Sequence, residues 1–169
     1  MKFKNQHRML VSFGAYFLVV CPNCSGKAKV ISLGAPSPYI TGITRRFFCS
    51  ECGSHKEFVP RKNCYNEAVI RYSKNWEEGY INIGGPFDWF FGYSLYLQIP
   101  CCGQTLWAYN LEHLEYVESY VAAELREDHP YYLSVESRLP AWMKSAKNRH
   151  DVLKAIGKLK IKESGLIKS

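Results

Sequence analysis

Two C-x-x-C steps, Cys21-Pro22-Asn23-Cys24 and Cys49-Ser50-Glu51-Cys52, constrain this chain more than any other feature. A two-residue gap lets one tight turn aim two thiolates at a common centre. Two such turns complete a tetrahedral four-sulfur shell for zinc. The expected cofactor is one Zn²⁺ on Cys21, Cys24, Cys49 and Cys52. Four thiolates leave no coordination position for water or substrate, so this zinc is expected to be structural. Gly26 and Gly53 follow the two steps, where left-handed backbone can turn N–H groups toward sulfur.

The other three cysteines, Cys64, Cys101 and Cys102, fit no standard ligand spacing and are read as buried thiols. Paired C-x-x-C turns favour a reducing compartment, where thiolates stay free for metal, so a cytoplasmic location is expected. Met1 to Arg8 is basic and Met9 to Val20 largely apolar, which resembles a signal peptide. Val20 is too bulky for a cleavage site, however, and cleavage there would take Cys21 from its pair. Export is not expected, nor is a membrane span.

Around the knuckles the chain has strand character. Tyr16–Val20 leads into the first and Lys27–Leu33 leaves it; Ile43–Phe48 leads into the second and His55–Val59 leaves it. Gly34-Ala35-Pro36-Ser37-Pro38 between them is a loop. Asn63–Ser73 is read as a short helix from Ala68, Val69 and Tyr72. Gly84-Gly85-Pro86 is a break. Alternation over Tyr93–Ile99, a turn at Pro100–Gly103 and the run to Tyr109 predict a β-hairpin over 93–109. Asn110 is a good N-cap for a helix with the stripe Leu111, Leu114, Val117, Val121 and Leu125, ending near Asp128 before His129-Pro130. Pro140 opens a short helix. Asn148 is the expected cap of the last one, whose stripe is Val152, Leu153, Ile156 and Leu159.

The spacing and residues of Cys21-Pro22-Asn23-Cys24 and Cys49-Ser50-Glu51-Cys52-Gly53 resemble the zinc-ribbon family, of the general transcription-factor and ribosomal-protein type, over residues 16–60. The resemblance implies a structural zinc, and it selects no activity, because ribbons serve DNA, RNA and protein recognition alike. The stretches Pro100–Asn110 and Leu139–Arg149 are similar to small uncharacterised bacterial zinc-ribbon proteins, which implies a bacterial origin. The chain departs from nucleic-acid-binding ribbons in its long, rather apolar inter-knuckle loop, with only Arg45 and Arg46 near its end.

The expected architecture is α+β: a zinc ribbon over 1–60, a mixed segment with the hairpin over 61–110, and a helical region over 111–169, forming one compact unit with the hairpin packed on the ribbon. The net charge of +7 is unevenly spread. Residues 112–136 carry seven acidic side chains and one arginine, whereas residues 138–169 carry nine basic and two acidic ones. Either the acidic and basic helices face each other, or the basic one meets an anionic partner. The aromatic run Phe87–Tyr93 is read as core, with a stacking platform as the alternative. His7, His55, His113, His129 and His150 build no motif, and no nucleophile elbow, phosphate loop or zinc-protease signature occurs.

The function expected is thus a non-enzymatic, zinc-stapled protein-interaction module, with an immunity- or antitoxin-like role as one form. The alternative is nucleic-acid binding through Arg45, Arg46, Lys144, Lys147, Arg149, Lys154 and Lys158.

Overall fold

The strand-forming residues on either side of each C-x-x-C pair face a simple constraint. Each knuckle reverses the chain, so the strands entering and leaving it pair antiparallel. In the computed structural model β1 (Tyr16–Val20), β2 (Lys27–Ser32), β3 (Arg45–Phe48) and β4 (His55–Glu57) form one antiparallel sheet in that order. The register sets Phe17 beside Val30 and Val30 beside Phe47. All three side chains are buried on the inner face. The structure describes Phe3, Gln6 and residues 8–33, 44–124 and 134–165. The expected loop at Gly34–Pro38, Leu125, and the expected helix end at Asp128 and His129-Pro130 lie outside them.

The chain divides into two units, Gly14–Tyr96 and the pair of segments Met1–Phe13 with Leu97–Ser169. In the first unit the aromatic run is core, as read. Trp89, Phe90 and Phe91 are buried, and Phe17 meets Trp89 edge-on at 4.9 Å while Phe47 meets Tyr93 at 4.9 Å. Asp88 shapes this run. Its Oδ1 accepts from the Phe90 and Phe91 N–H groups at 2.9 and 2.8 Å, and its Oδ2 accepts from the Tyr93 N–H at 2.7 Å. Burial pushes the Asp88 carboxyl up to about 6 against the pull of those three donors.

The helix expected over Asn63–Ser73 does not form. The Asn63 side chain accepts from the Tyr65 and Glu67 N–H groups, both at 2.9 Å, and so takes the Glu67 N–H that a helix would give to the Asn63 carbonyl. Asn66 adopts a positive φ of 64°. The chain instead folds back with Lys62 bridging Ala68, and β5 (Ile70–Arg71) pairs parallel with β6 (Ile81–Asn82).

In the second unit the hairpin is shorter than expected: β7 (Leu97–Cys101) and β8 (Gln104–Ala108). Residues 93–96 belong to the first unit, where Leu95 bridges Val19 and the Tyr96 N–H donates to the Leu18 carbonyl at 2.9 Å. The packing partners of the hairpin are helices α1 (Leu111–Ala122) and α4 (Arg149–Ser164). Asn110 caps α1 as predicted, accepting from the His113 N–H at 2.9 Å. Its amide also donates to the Phe13 carbonyl at 2.8 Å, tying the N-terminal segment to the helix. His113 is sealed in this core, stacked on Phe13 at 4.8 Å, and its Nδ1 accepts from the Tyr109 N–H at 3.3 Å.

Helix α1 stops at Ala122, where Ala123 turns to extended backbone. Two short helices, α2 (Val135–Arg138) and α3 (Ala141–Lys144), follow; the first was not expected and the second starts just after Pro140. Asn148 does not cap α4 with its side chain. Its own backbone is already helical, and its amide donates to the Trp142 carbonyl at 2.9 Å. The buried stripe of α4 is Val152, Ala155, Ile156 and Leu159, with Leu153 at its margin. The acidic and basic helices do face each other: Lys160 of α4 pairs with Glu118 of α1 at 2.5 Å. The fold is α+β, with knuckled antiparallel strands first and helices after residue 110.

Candidate metal centre

The four cysteines of the two knuckles converge. Cys21 and Cys24 lie in the β1–β2 turn, Cys49 and Cys52 in the β3–β4 turn, and their sulfurs all lie within 4.8 Å of one another. Cys24 and Cys49 are 3.6 Å apart, and Cys21 and Cys52 3.7 Å. A disulfide would need about 2.05 Å. A tetrahedral cation with sulfurs at about 2.3 Å needs them about 3.8 Å apart, so the observed spacing fits a metal shell and not a pair of bridges. Among the described residues this is the one cluster of three or more groups able to hold a metal ion.

Each knuckle is held by its own backbone. The Ser25 N–H donates to the Cys21 carbonyl at 2.9 Å and the Cys21 N–H to the Gly26 carbonyl at 2.8 Å. In the second turn the Gly53 N–H donates to the Cys49 carbonyl at 3.0 Å and the Cys49 N–H to the Ser54 carbonyl at 2.9 Å. Gly53 takes the left-handed conformation expected of it, with φ of 74°. At the first knuckle that conformation falls on Ser25 (φ 62°) and not on Gly26. Gly26 serves space instead: a Cβ there would lie 2.0 Å from the Glu51 carboxylate.

The sulfurs differ in environment. Cys21 and Cys49 are buried, Cys24 and Cys52 exposed. The Ser54 hydroxyl and backbone N–H, with help from Asn23, draw the Cys52 thiol down to about 6. At Cys24 the Gly26 N–H favours the thiolate, but desolvation and the other three sulfurs outweigh it and hold the thiol up at about 12. Cys24 therefore resists ionising beside the other three sulfurs. A divalent cation supplies the positive charge that reverses this, and the donor set, spacing and backbone support all fit one.

The residues read as a basic surface are not brought together as a set. Arg45 is 4% exposed and points inward. Its Nη1 donates to the Gly14 carbonyl at 2.7 Å and the Ala15 carbonyl at 3.1 Å, its guanidinium lies 4.6 Å from the Phe90 ring, and burial lowers its pKa to about 10. It is a structural residue, out of reach of any nucleic acid. Alternation along β3 puts Arg46 on the other face, paired with Glu57 at 2.7 Å. Lys144 donates to the Ser137 carbonyl at 3.1 Å and Arg149 is half-buried. Lys147, Lys154 and Lys158 are exposed, with Asp151 exposed among them one helical turn from Lys154.

Of the three remaining cysteines only Cys101 is buried; Cys64 and Cys102 are exposed, so the reading of all three as buried thiols is corrected. The sequence reading also passed over Asp88 and a hollow of about 140 Å³ in the first unit. Phe58, Trp76, Phe90 and Phe91 line this hollow, with Lys56, Glu57 and Glu78 beside them. The Trp76 indole N–H is itself buried without a partner. No signal short of the fold could find it, since its walls come from three separated segments.

No family model, curated protein or solved structure matches the chain. The metal-binding assignment rests on the geometry of the four sulfurs. No helix among the described residues is long and apolar enough to cross a membrane.

Proposed function

We propose that this chain is a non-enzymatic binding protein in which one zinc, held by Cys21, Cys24, Cys49 and Cys52, staples a ribbon-type sheet, and that it recognises a protein partner. The observation that carries the reading is the set of four sulfurs at tetrahedral spacing on two antiparallel knuckles. Such a shell is closed, which suits a structural rather than a catalytic ion. A reducing cytoplasm, where thiolates stay available to a metal, suits this reading.

A protein partner is favoured over nucleic acid by the surface of the first unit. Val59, Tyr65 and Tyr72 are 79%, 80% and 70% exposed, and the hollow lined by Phe58, Trp76, Phe90 and Phe91 is of a size to receive one anchoring side chain. The basic set, in contrast, loses Arg45 to the interior and retains Lys147, Lys154 and Lys158 as its exposed members. Those three lysines are what favour the second reading, binding of nucleic acid by counterion release.

One experiment separates the two. Tagged, metal-loaded protein is isolated from its own source cells at moderate salt, beside the Trp76→Ala and Lys154→Glu/Lys158→Glu variants. In parallel each is titrated with labelled DNA and RNA at two salt concentrations. Protein recognition predicts a stoichiometric protein partner that the Trp76 variant loses and the lysine variant keeps. Oligonucleotide binding that falls steeply with salt and disappears in the lysine variant would replace this reading with the second one.

A further inference from the structure

Among the described residues three non-glycines adopt positive φ: Ser25, Asn66 and Cys102. Asn66 is a residue type that tolerates this backbone, and Ser25 belongs to the metal knuckle. Cys102 has neither reason. It stands with Gly103 in the two-residue loop of the β7–β8 hairpin, where Cys101 pairs with Gln104 and the two loop residues have φ of 52° and 72°. That is a type I′ turn, whose first loop position is favourable for asparagine, aspartate or glycine. A cysteine there is a local misfit, and an unexplained backbone outlier is a reason to look for function.

The misfit sets two thiols side by side. The Cys101 and Cys102 sulfurs are 3.7 Å apart, Cys102 exposed to solvent and Cys101 buried behind it at 7% exposure. The roles of attacker and resolver are thereby separated by access. Burial, with the Cys102 thiol and Asp151 nearby, pushes Cys101 up to about 11, so it waits as a thiol.

We propose that Cys101 and Cys102 form an oxidant-responsive vicinal dithiol that reduces hydrogen peroxide and closes to a disulfide. The Cys102 thiolate attacks a peroxide oxygen; the S–O bond forms, the O–O bond breaks, and the departing oxygen leaves as water after taking a proton. The Cys101 sulfur then attacks the Cys102 sulfur. The S–S bond forms, the S–O bond breaks, and the Cys101 proton leaves with the hydroxyl as a second water. With hydrogen peroxide, two thiols become one disulfide and one peroxide becomes two waters. The sulfurs must close from 3.7 Å while the adjacent Cα atoms stay about 3.8 Å apart, closer than in ordinary bridges, so the product is strained and readily reduced. The pair is thus suited to a reversible response. The proposal is independent of which partner the protein binds.

The test uses the metal-loaded protein, exposed to graded hydrogen peroxide, quenched with a maleimide and digested with trypsin. The fragment Asn75–Arg126 contains Cys101 and Cys102 and no other cysteine. The expected result is a fragment lighter by two hydrogens, without maleimide, that regains both labels after reduction, while the four-cysteine centre still holds its metal. Cys102→Asn, which suits the turn, should lose that response and leave Cys101 alkylated. Cys101→Ser should arrest Cys102 as a sulfenic acid that dimedone captures. Full maleimide labelling of both sulfurs while the other cysteines oxidise would overturn the proposal. So would Cys102 passing directly to sulfinic acid, or bridging to a second chain, in the wild type.

Discussion

The two units of this protein solve the same problem by different means. Gly14–Tyr96 is built of strands two to six residues long, with an aromatic inner face and four sulfurs gathered at one end of its sheet. The other unit has two helices of 12 and 16 residues enclosing a hairpin, with Leu114, Val117, Val121, Val152, Ile156 and Leu159 buried. Helices satisfy their own backbones and need only an apolar stripe, whereas short strands depend on distant partners. A metal that fixes two turns at once supplies what the short strands lack. The lesson is that a staple is found where local structure is least able to sustain itself.

Breaking the staple should separate the units most clearly. Cys49→Ser, or chelation, removes a contribution on the order of 10 kcal/mol. Hydrogen exchange should then show β1–β4 unprotected while α1 and α4 keep their protection. Loss of protection throughout would show that the helical unit depends on the metal as well.

Next in size is the contrast between Arg45 and Arg46. Arg45→Ala deletes a buried cation with two carbonyl partners and should cost about 2–4 kcal/mol in urea unfolding. Arg46→Ala loses an exposed ion pair and should cost no more than about 0.5 kcal/mol. Equal costs would contradict the inward orientation of Arg45.

In the helical unit the sensitive group is a histidine. Burial, and then Arg8, lower His113 to about 3 from the ordinary 6.5. The unfolded chain takes up a proton below 6.5 that the folded one refuses until about 3. The stability due to neutral His113 is therefore complete above pH 6.5 and is lost as pH falls through that window. At pH 5 the loss should be about 2 kcal/mol. Comparing the pH slopes of wild type and His113→Gln cancels the acid sensitivity of the metal centre; identical slopes would refute the assignment.

The smallest expected effect is a gain. Cys102→Asn places in left-handed backbone a residue type whose short polar side chain tolerates it, and should raise stability by about 0.5–1 kcal/mol, seen as a higher Tm.

The cluster of four cysteines and the four strands beside it were legible in the sequence because they are local. Two C-x-x-C steps and the β-prone residues beside them specify turn and strand within about ten residues, and β1 has the predicted limits. The α1 cap was legible for the same reason. What failed was decided by competition or distance. The Asn63 side chain captures the Glu67 N–H that a helix would give to the Asn63 carbonyl, and the Val69 N–H goes to the Arg61 carbonyl. The alternation over 93–99 spans a boundary between two units that periodicity alone does not reveal. Arg45 and Arg46 are neighbours of the same type, and only the strand register, Arg46 opposite Glu57, tells which one faces water. The aromatic hollow was invisible because residues 56–59, 76–79 and 90–91 meet only in the fold.

The most direct test of the central claim is metal content, read by native mass spectrometry on protein purified without added metal. The account predicts one zinc per chain, absent from Cys21→Ser and Cys49→Ser. A metal-free wild-type chain whose β1–β4 amides remain protected from exchange would contradict it, since the sheet would then stand without the ion proposed to hold it.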